Sequence, residues 1–358
     1  MAAKTLWVGT RKGLFVMRRE ASGWRIGTPQ FAGEPVTQFL ANPHDGAWYA
    51  ALRLGHFGLK IWKSVDGGGE WKEVAAPAFP PKPTEGPWKD DPTPWTVDQV
   101  WSLEASQDGA LWAGCLPAGL FKSRDGGASW QLVESLWNRP ERKEWFGGGY
   151  DFAGVHSILV DPRDANHVTL AISCGGVWQT RDGGDSWTNT TKGMFADFMP
   201  PERREDPNIQ DPHRIDQCLA HPDVLWCQHH GGIWRSANGG LQWDAIAAPQ
   251  PSGFGFPVAA HPTDPQKAWF VPAHSDGQRI PVDGRMVVTQ AREGGASFSV
   301  HGDGLPQQDA FHLVYRHALA VTPDGQQLAT GSTTGGLWTS EDGGDTWRCV
   351  SRDLPPIA

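Results

Sequence analysis

Cysteine is scarce: Cys115, Cys174, Cys218, Cys227 and Cys349 are odd in number, scattered, and form no C-x-x-C pair. That fits a reducing compartment rather than a disulfide framework. Apolar residues never run to the ~18 positions a membrane helix needs, so a membrane is excluded as a partner. Basic residues never cluster, and 31 Lys and Arg against 40 Asp and Glu leave a net charge of −9. Nucleic acid is excluded as well, because its phosphate backbone requires a positive face. The opening residues MAAKTLWVGT hold no apolar secretory core, which together with the cysteines predicts a cytoplasmic protein. Tyrosine is rarer still, at 3, against 20 tryptophans. Glycine (44) and proline (29) are plentiful among the 358 residues, giving many turns without reaching the ~25–30% of low complexity. The expectation is an all-β globular protein.

What is present is a repeat. Ser64–Trp71, Ser123–Trp130, Thr180–Trp187, Ser236–Trp243 and Ser340–Trp347 share one pattern, and Ala291–Phe298 is a decayed copy. A shortened seventh copy runs from Glu20 to Trp24. The acidic or Asn position recurs every ~50–60 residues, a propeller-like period. An Asp followed by Gly-Gly can fold its carboxylate onto N–H groups of its own turn, while the glycines take positive φ at no steric cost. Asp66, Asp125, Asp182, Asn238 and Asp342 therefore read as structural clasps. One carboxylate per turn is too few oxygens for calcium.

The pattern S/T-x-D-x-G-x-S/T-W resembles the Asp-box, or BNR repeat, of sialidase-like and sortilin-like β-propellers. The resemblance covers nearly the whole chain. It implies a seven-bladed β-propeller of four-stranded antiparallel blades, with each box joining the third strand of a blade to the fourth. A length above ~250–300 residues usually means two domains, but the repeat predicts one, residues 1–358. The approximate blades are 1–35, 36–97, 98–153, 154–212, 213–254, 255–310 and 311–358. The first blade starts at its second strand, so the C-terminal LPPIA is expected to supply the missing inner strand and close the edge.

Strand order sorts twelve of the 13 histidines by face, and His301, near the end of a fourth strand, says little. His44, His167, His221 and His261 fall in turns on the box face and read as turn residues. His156, His213 and His312 lie near inner-strand starts. His56, His229, His230 and His274 lie in or beside loops joining second to third strands, and His317 follows in the last inner strand. Arg11, Arg53, Arg214, Arg279, Arg285 and Arg316 accompany them. The long segments 76–97, 136–154, 188–212 and 303–310 open on the same face, where binding residues usually sit. Sixteen tryptophans belong to the repeat; Trp88, Trp95, Trp137 and Trp145 do not, and are expected to touch a ligand.

The expected function is an enzyme acting on a small anionic or carbohydrate-like substrate at a His/Arg-rich channel mouth, as a hydrolase or a lyase. His213, His230, Tyr315 and Arg316 are the candidate catalytic residues. Arg11, Arg53, His56, Arg214, Arg279, His274, Trp88, Trp95 and Trp145 are the candidate substrate contacts. The sialidase resemblance implies an arginine cluster for a carboxylate and a tyrosine nucleophile, for which Tyr315 beside Arg316 is the match. Its R-I-P motif occurs at Arg279-Ile280-Pro281, but after Gln278 and far from the N-terminus, and no Glu partner for Tyr315 is evident. Imidazoles also ligate divalent transition metals, and His156, His213, His230 and His312 are the candidate metal set. The alternative is a non-catalytic cytoplasmic interaction or assembly scaffold, which explains the repeat and asks nothing of the histidines.

Overall fold

Short runs of β-branched and aromatic residues between glycine turns predict strands, and the computed structural model, which describes residues 3–21 and 23–357, contains them as seven antiparallel sheets. The first is β1 (Thr5–Thr10), β2 (Gly13–Glu20) and β3 (Gly23–Ile26). The second is β4 (Val36–Ala41), β5 (Trp48–Arg53), β6 (Leu59–Ser64) and β7 (Lys72–Val74). The third is β8 (Gln99–Ala105), β9 (Leu111–Leu116), β10 (Leu120–Ser123) and β11 (Gln131–Leu132). The fourth is β12 (Val155–Asp161), β13 (Asp164–Ile172), β14 (Gly176–Thr180) and β15 (Thr188–Asn189). The fifth is β16 (Pro212–Gln217), β17 (Leu225–His229), β18 (Gly232–Ser236) and β19 (Asp244–Ala245). The sixth is β20 (Gly255–Ala260), β21 (Ala268–Pro272), β22 (Val288–Arg292) and β23 (Ser297–His301). The seventh is β24 (Leu319–Val321), β25 (Leu328–Gly331), β26 (Leu337–Ser340) and β27 (Arg348–Ser351). The protein is a seven-bladed β-propeller, and no helix among the described residues is long and apolar enough to cross a membrane.

Two compact units hold these sheets. Unit 1 comprises Met1–Gly33, Thr191–Glu205 and Pro212–Ala358, with the first, fifth, sixth and seventh sheets; unit 2 comprises Glu34–Thr190 and Asp206–Asp211, with the other three. In unit 1 the C-terminal tail takes the inner position of the first sheet. Thr10 bridges Ile357, the Arg11 N–H donates to the Pro356 carbonyl at 3.0 Å, and Leu354 and Ile357 bury against Val8, Met17 and Leu337. Ser22, within the shortened box, and Ala358, the last residue of LPPIA, lie outside the described residues.

The boxes fold as self-satisfied turns. Ser64 Oγ and the Gly69 and Glu70 N–H groups donate to Asp66 Oδ1 at 2.7, 2.9 and 3.0 Å. Ser129 adds a second arm in its box, from N and Oγ to Asp125 at 2.9 and 2.6 Å. In the decayed copy Ser297 Oγ donates to Glu293 at 3.0 Å. Three of these turns also latch onto the sheet before them, each within its own unit. Tyr49 Oη and Lys63 Nζ both donate to the Gly126 carbonyl at 3.1 Å. Lys122 Nζ, 4.2 Å from the Trp112 ring centroid, donates to the Gly183 carbonyl at 2.9 Å. In unit 1, Trp269 Nε1 donates to the Gly343 carbonyl at 2.9 Å. Trp269 thus spends its single N–H on the neighbouring turn, whereas Trp178 and Trp347 donate to the Gly175 and Gly344 carbonyls of their own sheets, at 2.8 and 3.0 Å.

Three expectations change. The segment from Thr188 opens as strand β15 paired with β14, not as loop. The segment from Leu136 opens inside a short helix, α1 (Glu134–Trp137). The last inner strand is only Leu319–Val321, because a turn in which the Ala318 N–H donates to the Tyr315 carbonyl at 3.1 Å breaks the ladder before it. His312, Tyr315, Arg316 and His317 therefore sit in irregular chain rather than in a strand.

Candidate functional site

The site builds from the β17–β18 hairpin of unit 1. Gln228 is buried and its amide donates to three carbonyls, those of His229, Gly232 and Gly253, at 3.1, 3.1 and 2.8 Å. One side chain thereby ties the hairpin turn to the segment leading into β20. The two adjacent histidines then part. His229 turns inward, accepting the Gly231 N–H on Nδ1 at 3.1 Å with its ring 4.7 Å from Trp234. His230 turns outward, half-buried, its ring 4.8 Å from Phe198 and 5.6 Å from Phe254.

His213, at the start of β16, meets it. Its ring lies 5.4 Å from His230 and stacks on Phe256 at 4.6 Å and 13°. His213 Nδ1 bonds the Gly255 carbonyl at 2.6 Å, a contact that fixes Nδ1 as the protonated nitrogen and Nε2 as the acceptor. Glycine is needed at 255, where a Cβ would stand 2.9 Å from the Val271 carbonyl oxygen. Phe254 and Phe256, two apart and on one face of the chain, have ring centroids 5.5 Å apart.

Tyr315 and two guanidiniums complete the cluster. The Tyr315 ring is 5.2 Å from Phe256, and the Arg279 and Arg316 guanidinium carbons lie 5.5 and 5.3 Å from the same ring. Arg316 is buried, whereas Arg279 is half-exposed and paired with Asp276 at 2.5 Å. His274 is exposed at the base of the same loop, its N–H donating to the Ile280 carbonyl at 2.8 Å. Arg214 lies one residue along β16 from His213, near Asp216. Burial pushes the Asp216 carboxyl up, against the pull of Arg214 and of the Ala260 and Gln217 N–H groups.

The remaining candidates are placed elsewhere. In unit 1, Arg11 is exposed in the β1–β2 turn. His312 is held by Thr334 Oγ1 at 2.5 Å and Ser332 Oγ at 3.2 Å, and burial lowers its pKa. In unit 2, Arg53 pairs with Asp98 at 2.9 Å, and His56 is exposed with its ring against Phe57. His156, also in unit 2, is wholly buried beside Ser157 Oγ at 3.0 Å. The four expected metal ligands are thus divided between the units. Within unit 1 the structure brings together two of them, His213 and His230, with ligand nitrogens within 4.8 Å.

The loop tryptophans of unit 2 are packed rather than displayed. Trp88 and Trp137 sandwich the Arg142 guanidinium at 4.0 and 3.8 Å, and Trp145 sits edge-on to Trp178 at 5.7 Å. Trp95 is half-buried, edge-on to Trp137 at 5.4 Å. The rings that flank the candidate site are Phe198, Phe254 and Phe256, none of which stood out in the sequence. The available signal was the F-G-F alternation at the entry to an inner strand.

No protein-family model matches the chain. It is 26% identical over 245 residues to an oligoxyloglucan-reducing end-specific xyloglucanase of Emericella nidulans, covering 64% of this chain and 27% of that protein. It is 25% identical over 185 residues to a xyloglucanase of Paenibacillus sp., covering 52% of this chain and 16% of that protein. Among solved structures it is similar to an ancestral GH74 enzyme, with TM-score 0.61 and 17% identity, over 94% of this chain and 38% of that one. The chain spans about a quarter or less of the length of the curated xyloglucanases it matches.

Proposed function

We propose that the chain is a carbohydrate-acting glycoside hydrolase whose site is the cluster around Phe256 in unit 1. The convergence of His213, His230, Tyr315, Arg279 and Arg316 on the Phe254–Phe256 pair carries this reading, and the likeness to two xyloglucanases supports it. Ligand sites are concave, largely aromatic, and oriented by a few polar groups; a pyranose offers a C–H face to such rings and hydroxyls to the groups around them. The guanidiniums are suited to sugar oxygens or to an anionic substituent, by forked donation. His213 and His230 bring their ring nitrogens to the same wall as further polar groups. Tyr315 takes the nucleophile role that a sialidase-type mechanism gives to tyrosine.

The test is release of reducing ends from xyloglucan, its oligosaccharides and uronate-containing oligosaccharides. Wild-type protein is expected to cleave at least one of them. Tyr315→Phe and His230→Ala should each lower kcat/KM about 100-fold or more, a loss of about 3 kcal/mol in transition-state stabilisation. Their Tm should stay within about 2 °C of wild type. Folded wild-type protein that cleaves none of these substrates, yet holds a protein partner tightly, would overturn the hydrolase in favour of a scaffold.

A further inference from the structure

We infer that His213 and His230 together bind one borderline transition-metal dication of the zinc or copper(II) kind. A buried imidazole bonded to a carbonyl is common in cores, and by itself His213 would need no further explanation. Packing alone does not require a second imidazole, brought by a different hairpin, with its ligand nitrogen within 4.8 Å of the first. Two nitrogens on one tetrahedral zinc stand roughly 3.3 Å apart, so a small rotation of the half-buried His230 ring would close the pair.

The surroundings match what a metal-binding imidazole has around it. Metal-ligating histidines nearly always donate their other ring N–H to a carbonyl or carboxylate, as His213 does to Gly255 at 2.6 Å. The His213 ring is held parallel to Phe256 and the His230 ring edge-on to Phe198 and Phe254, so little rotamer freedom remains to be lost on binding. Charge decides the class of metal. Arg279 is offset by Asp276, but Arg316 stands 5.3 Å from the Phe256 ring and opposes any dication held by electrostatics alone. Magnesium and calcium depend on oxygen ligands; zinc and copper gain enough from imidazole nitrogen to bind beside that charge.

The experiment titrates zinc chloride into the chelator-stripped full chain by calorimetry, and records copper(II) electron paramagnetic resonance on the same protein. The expected result is one equivalent of zinc per chain and copper coupled to two imidazole nitrogens. His230→Ala, at a half-exposed position, should weaken zinc by about tenfold or more and reduce the coupling to one nitrogen, and His213→Asn should do the same. His312→Ala should change neither. No stoichiometric zinc binding by wild type would overturn the inference, as would unchanged binding in the folded His230→Ala variant. Metal binding is read without any sugar, so its failure leaves the hydrolase standing, and the reverse also holds.

Discussion

Single carboxylates make the box turns, and their titration is the clearest consequence at the scale of the residue. The Ser129 hydroxyl and N–H, with Ser123, hold the Asp125 carboxyl down to about 2, and Ser186 and Thr180 hold Asp182 lower still. A carboxyl depressed in the folded state stabilises it above the unfolded pKa of 3.8 and loses that contribution as pH falls through the folded value. Tm should therefore fall between about pH 4 and pH 2. Asp125→Asn should flatten this acid limb, at the expense of a lower Tm at pH 7. The fifth sheet already uses Asn238, which keeps the Ser236 and Gln242 contacts at 2.9 and 3.0 Å, so the variant should still fold. Gln228→Ala strands three carbonyls and should cost about 1–3 kcal/mol, measured by denaturant unfolding. The clasps were legible in the sequence because every bond in them is local. The different fates of His229 and His230 were not, since they depend on Gln228 reaching Gly253.

Between elements, the sequence showed the repeat but not what the repeat joins. The lysine preceding a box serves the next sheet's turn. Lys122→Gln, which loses both the Gly183 carbonyl and the face of Trp112, should lower stability by about 1–2 kcal/mol. The segment after β7 presents the opposite case. Its Trp88, and Trp137 after β11, looked like ligand contacts because they escape the repeat, yet they enclose a buried ion pair, Arg142 with Asp91 at 2.8 Å. Burial pushes the Asp91 carboxyl up, but the Thr93 N–H and Arg142 outweigh it and hold it below its ordinary value. Arg142→Met leaves that carboxylate buried without its counter-charge, and should cost about 3–5 kcal/mol, with much of the loss recovered in the Asp91→Asn, Arg142→Met double variant. A composition count cannot separate an aromatic waiting for a ligand from one covering a guanidinium.

For the whole molecule, seven sets of strands and their box turns followed from periodicity, and the tail completing the first sheet followed from the missing inner strand. Removing residues 354–358 exposes the partners of Leu354 and Ile357 and should cost unit 1 about 3–6 kcal/mol, seen as a lower first transition in calorimetry. Tyr315, Arg316, Arg279, His213 and His230 were legible as candidates for one face because strand order sends inner-strand starts and the loops joining second to third strands to the same end, although Tyr315 and Arg316 lie in irregular chain rather than in a strand. The phenylalanines that gather them were not, since Phe254 and Phe256 read as ordinary strand residues until β16 is laid beside β20. The function proposed for the molecule rests on that gathering. It is tested most directly by a crystal of the wild-type chain soaked with xyloglucan oligosaccharide: density for a sugar ring against Phe254, within hydrogen-bonding reach of His230 and Arg316, is the predicted result. Sugar bound only at another surface, with this cluster unchanged, would contradict it.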